Sequence, residues 1–105
     1  MREEFIRTVL KDIKKNVAMN GCRPVPRDKN INFMREHFLD DNDLKEIMLD
    51  LSPKQCIGGP EPDKRGDDGF VLKFKSSYLD DKLIYIKVRY NPPDEVSIIS
   101  FHEDE

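Results

Sequence analysis

Apolar residues recur at helical spacing over residues 3–18, where Phe5, Ile6, Val9, Leu10, Ile13 and Val17 are separated by Arg7, Lys11, Lys14 and Lys15. One apolar stripe and one basic face predict an amphipathic helix. Asn20-Gly21 stops it, because glycine suits the left-handed position after a helix end. CRPVPRDKN then reads as a connector. A short second helix is expected over 30–38, with Phe33, Met34 and Phe38 as its apolar contacts. A third follows a cap at Asp41 or Asn42 and carries the stripe Leu44, Ile47, Met48 and Leu51. Ser52-Pro53 ends it and suits one further turn, with Ser52 as cap and Pro53 at the first position.

The period changes after residue 69. Residues 70–76 (FVLKFKS), 83–90 (LIYIKVRY) and 96–102 (VSIISFH) alternate or run β-branched, which predicts three strands. Ser77–Lys82 and Asn91–Glu95 are short enough to be turns, so the strands form an antiparallel meander. Residues 57–69 (IGGPEPDKRGDDG) hold 4 of the 5 glycines and read as a long exposed loop. The expected fold class is α+β: a single domain over 1–105, with N-terminal helices packed on a small C-terminal antiparallel sheet.

Composition narrows the functional classes. The chain has 105 residues, 18 Lys+Arg and 21 Asp+Glu, and a formal charge of −3. Net acidity argues against coating nucleic acid by bulk charge. The charge is uneven, however. Residues 1–29 carry 8 basic and 4 acidic side chains, and residues 70–90 carry 5 and 2. The acids gather in 30–69 and after residue 91. The 2 cysteines lie 34 residues apart, with no histidine at ligand spacing, so neither a disulfide scaffold nor a zinc site is expected. FLDDNDLKE lacks the spacing and glycine of a calcium loop, and the 57–69 segment lacks the Lys-Ser/Thr pair of a phosphate loop. No cofactor and no metal is expected. No apolar run approaches the roughly 18 residues that a membrane helix needs, and the acid-bearing N-terminus does not read as a signal peptide. A cytoplasmic location is the expectation.

Strand alternation places the chemistry. Ile84, Ile86, Val88 and Tyr90 point one way, and Leu83, Tyr85, Lys87 and Arg89 the other. Phe70, Leu72 and Phe74 join the core side, as do Ile99 and Phe101, leaving Ile98, Ser100 and His102 outward. The open face then collects Lys73, Lys75, Tyr85, Lys87, Arg89 and His102. A wet sheet face carries lysine and arginine without further purpose in many proteins. This one also holds the parts for cleaving a phosphodiester. Cations hold phosphate oxygens, an imidazole moves protons near neutrality, and a phenol donates a hydrogen bond or stacks on a base.

The segments LSPKQCIGGPEPD, LIYIKVRY and VSIISFHEDE resemble the MqsR (motility quorum-sensing regulator) family of bacterial toxins, over about residues 39–105. Members are RelE-like endoribonucleases of type II toxin–antitoxin systems. The resemblance implies a RelE-like fold, metal-free mRNA cleavage and a cognate antitoxin as inhibitory partner, with the ribosome as an open further partner. It assigns Tyr85 and Lys87 to the family's Tyr-x-Lys, and His102 to the basic residue after Ser-Phe. Lys73 aligns loosely with a polar position on the first of these strands. A family lysine after the Leu-Ser/Thr-Pro segment falls on Gly58, and Lys64, Arg65 or Lys75 are the candidates to replace it. The expected assignment is therefore Tyr85, Lys87 and His102 as catalytic, with Lys73, Lys75 and Arg89 binding RNA phosphate. Gly58 also motivates the other reading, a non-catalytic module that binds an antitoxin or RNA.

Overall fold

A computed structural model describes residues 2–62, 69–92 and 95–104. Three helices precede a four-stranded sheet: α1 (Arg2–Asn20), α2 (Asp28–Glu36), α3 (Asp41–Asp50), a 3₁₀ turn (Pro53–Gln55), then β1 (Cys56–Pro62), β2 (Phe70–Ser76), β3 (Ile84–Asn91) and β4 (Glu95–Glu103). All pairings are antiparallel, in the order β1-β2-β3-β4. The fold is α+β, with the helices before a small C-terminal sheet.

The stripes meet in one core. Val9, Leu10, Ile13 and Val17 of α1, Phe33 and Met34 of α2, and Leu44, Ile47 and Met48 of α3 pack with Leu72, Phe74, Ile84, Ile86, Val88, Ile98 and Phe101 of the sheet. Phe5 lies at the margin, edge-on to Phe70 with ring centroids 5.7 Å apart. The helix stops follow local chemistry. Gly21, at φ +72, donates its N–H to the Val17 carbonyl at 2.8 Å. The Gln55 carboxamide oxygen accepts from the Ser52 N–H at 2.8 Å, closing the 3₁₀ turn.

Four expectations need correction. The 57–69 loop is in part a strand: β1 pairs with β2 through Gly58↔Lys73 and Pro62↔Phe70, with irregular register between. Its glycines and prolines hide any alternation, and only an edge strand tolerates them. Gly59 is required there. It sits at φ +81, and a Cβ would run into the Val71 carbonyl oxygen. Second, α2 starts at Asp28 and ends at Glu36, so Phe38 is no core contact but is 92 % exposed. Third, the cap of α3 is Asp40. Its carboxylate accepts from the Asp43 N–H at 2.9 Å, and Asp43 returns the bond to the Asp40 N–H at 2.9 Å. Those bonds hold the Asp40 carboxyl below its usual range, the bond from the Asp43 backbone most strongly.

The fourth concerns β4. Lys87 pairs with Ser100 but Val88 pairs with Ile98, so Ile99 is an extra residue in a bulge. The bulge shifts the parity of everything before it. Ile98 is fully buried, and Ile99 leaves the core row. Beyond the bulge Ser100 and His102 still face outward with Lys87 and Tyr85. The outer edge of β4 is not left bare. Val25 donates its N–H to the Ile98 carbonyl at 2.8 Å, beside a parallel bridge from Pro24 to Ile98. Asn30, buried on α2, donates to the Ile99 carbonyl and accepts from the Phe101 N–H, both at 3.0 Å.

Candidate active face of the sheet

The register brings the six expected side chains together on one face. Lys75, Tyr85 and His102 are direct cross-strand partners on β2, β3 and β4. Lys73, Lys87 and Ser100 form the adjacent row, and Val71, Arg89 and Ser97 the next. Rows on one face are two residues apart, about 6.8 Å along a strand, and neighbours within a row are roughly 5 Å apart. The face is half-exposed throughout, except for Ser100 at 5 %.

The imidazole is oriented. His102 Nδ1 lies 3.0 Å from the Glu103 carbonyl oxygen, which can only accept, so Nδ1 carries the proton of that bond. Nε2 remains as the nitrogen that can exchange a proton with a substrate. The Tyr85 ring lies against the imidazole, with centroids 5.5 Å apart and planes 37° apart.

The face is less uniformly basic than its own strands suggest. Glu61 of β1 reaches to 3.9 Å from Lys73 Nζ, and Asp104 to 3.2 Å from Lys75 Nζ. Asp104 is also held through its backbone, donating its N–H to the Leu83 carbonyl at 2.9 Å. Glu103 pairs with Lys82 at 3.1 Å, a bond that raises the Lys82 pKa and keeps it charged. Strand alternation missed Glu61 because it arrives from β1, whereas Glu103 and Asp104 directly follow His102 in the chain. Exposed pairs of this kind contribute about 0.2–1 kcal/mol.

Gly58 stands opposite Lys73, and a Cβ there would lie 3.2 Å from the Lys73 Cδ. The lysine stem occupies the space of the absent side chain. Lys75 lies on this face, in the row with Tyr85 and His102. Lys64 and Arg65 lie outside the described residues.

Two clefts flank His102. One, of about 330 Å³, is lined by Lys29, Asn32, Phe33, Glu36, His102 and Glu103. The other, of about 230 Å³, is lined by Lys29, Tyr85, His102, Glu103 and Asp104. Lys29 belongs to both. Strand alternation could not place a helical residue there, and the basic balance of residues 1–29 was its only trace in the sequence.

Elsewhere the chemistry is quieter. Burial pushes the Cys22 thiol up to about 11, with Asp41 adding to the effect and Lys45 opposing it. Among the described residues no three His, Cys, Asp or Glu side chains come together as metal ligands, and no helix is long and apolar enough to cross a membrane. No family model matches the chain, and no curated protein or solved structure matches it.

Proposed function

We propose that this protein is a metal-independent endoribonuclease that cleaves mRNA, acting as the RelE-like, MqsR-family toxin of a type II toxin–antitoxin pair in the cytoplasm. The observation that carries the reading is the cross-strand row Lys75–Tyr85–His102 beside the row Lys73–Lys87. It sets a proton-transfer group, an aromatic surface and several cations within one nucleotide's reach.

In this reading Lys73, Lys75, Lys87 and Arg89 hold phosphate oxygens and stabilise the crowded phosphorane. Tyr85 orients or stacks on the nucleotide. The 2′-hydroxyl loses its proton as its oxygen bonds to phosphorus. The bond from phosphorus to the 5′-oxygen breaks, and that oxygen takes up a proton. The products are a 2′,3′-cyclic phosphate and a 5′-hydroxyl. His102 Nε2 performs one of the two proton transfers. A cognate antitoxin would silence the site by forming a complex with the protein.

The test is cleavage of a single-stranded RNA in the presence of a chelator. His102→Ala is expected to slow it by roughly 10²–10⁴-fold. Undiminished cleavage removes His102 from the mechanism. A second reading, a non-catalytic module that binds an antitoxin or RNA, is favoured by Gly58, where the resembled family has a lysine. Expression without an antitoxin separates them: growth arrest with mRNA loss marks the enzyme, and harmless accumulation marks the module.

A further inference from the structure

We infer that Lys29 of α2 is a phosphate-binding residue of the same site, and that single-stranded RNA leaves the sheet over the β4 edge onto α2. The inference rests on the endoribonuclease reading and adds a subsite to it. Lys29 lines both clefts beside His102, and one of them also holds Tyr85. Its place on the backbone is fixed by the next residue. Asn30, the next residue, is 1 % exposed and holds β4 by two bonds at 3.0 Å, to the Ile99 carbonyl and from the Phe101 N–H. A third bond, to the Val25 carbonyl at 3.0 Å, fixes the turn into α2. Lys29 and His102 are therefore the chain neighbours of a locked pair, Asn30 and Phe101. The row Lys75–Tyr85–His102 continues across the strand edge to Lys29.

The charges around the cleft suit this role. Of the three carboxylates that line the two clefts, Glu36, Glu103 and Asp104, the last two pair with Lys82 and Lys75. Lys29 adds a cation on the far side of the imidazole from Lys75, so a phosphate at His102 is met from both ends of the row. A phosphodiester is the ligand class, because an ammonium at an open cleft holds a phosphate oxygen as a point charge.

The test uses a single-stranded RNA with 2′-O-methyl groups throughout, which binds without being cut, in a salt series, and an unmodified RNA for cleavage. Lys29→Ala is expected to weaken binding roughly tenfold at low salt. The dependence of log affinity on log salt should flatten by about 0.7. Lys29→Arg should restore both, and Lys15→Ala on α1 should change neither. If the wild type binds and Lys29→Ala keeps its affinity and slope, Lys29 is not in the site, while the reading of the sheet face stands. If affinity falls without a change of slope and arginine fails to rescue it, the residue acts only through structure, and the inference is overturned. If the wild type neither binds nor cleaves RNA, the endoribonuclease reading fails and takes this inference with it.

Discussion

Phe38 is the residue whose conformation costs most for what it contacts. It ends α2 with φ +55. Its N–H bonds to the Arg35 carbonyl at 3.3 Å, and the Leu39 N–H bonds to the Met34 carbonyl at 2.8 Å. This is the Schellman pattern, whose left-handed position normally belongs to glycine. An L-residue pays about 1–2 kcal/mol to sit there, and a phenyl that is 92 % exposed recovers almost none of it by burial. Glycine's greater freedom in the unfolded chain takes back about 0.5–1 kcal/mol. Phe38→Gly should therefore stabilise the protein by about 0.5–1 kcal/mol, measured as an upward shift of the urea midpoint at constant slope. A lower midpoint would mean that the ring makes contacts worth more than the backbone relief. The residue also shows why the end of α2 was illegible. A phenylalanine two places after Glu36 extends the apolar spacing, and nothing in its identity announces a left-handed cap. Gly21 did announce one, and that helix ended where the glycine said.

At the level of elements, β3 was legible because its alternation is unbroken, and its core and outer faces came out as read. In β4 the outward residues Ser100 and His102 came out as read, but Ile98 and Ile99 exchanged roles at the bulge. Two successive isoleucines give no parity signal, so the sequence carries no mark of where the extra residue sits. β1 was illegible for the opposite reason: CIGGPEP has turn composition, and only pairing with β2 makes it a strand. The rows of the sheet carry a testable tension. Lys73 and Lys87 are direct cross-strand neighbours, and like charges so placed oppose each other. Lys87→Thr removes the repulsion and supplies a good strand former, so stability should rise by about 0.5 kcal/mol. RNA cleavage should fall at least tenfold. A variant that lost stability and kept full cleavage would show that Lys87 serves packing and not phosphate. Opposite movements of the two readouts are the signature of a site that holds strain for its ligand.

At the scale of the whole molecule, the fold class and the six side chains of the face, His102 among them, could be read from periodicity, because strand alternation assigns faces. Lys29 and Glu61 could not, because they reach the face through tertiary packing. Asn30 is the hinge of that packing. Asn30→Ala removes its bonds to Val25, Ile99 and Phe101 and leaves the Phe101 N–H without its partner. The expected cost is about 2–3 kcal/mol by chemical denaturation, with faster hydrogen exchange at the Phe101 amide. Unchanged exchange there would show that another group holds the β4 edge.

That clasp also fixes an order of events during synthesis. Residues 24–30 leave the ribosome long before β4, yet β4 is the strand they hold. A nascent chain halted before residue 95 can contain α1–α3 and β1–β3. It has neither the imidazole nor the strand that docks against Asn30. The proposed chemistry is therefore absent from any translation product that stops before residue 95. It requires β4 to lie between β3 and the N-terminal segment that holds its outer edge.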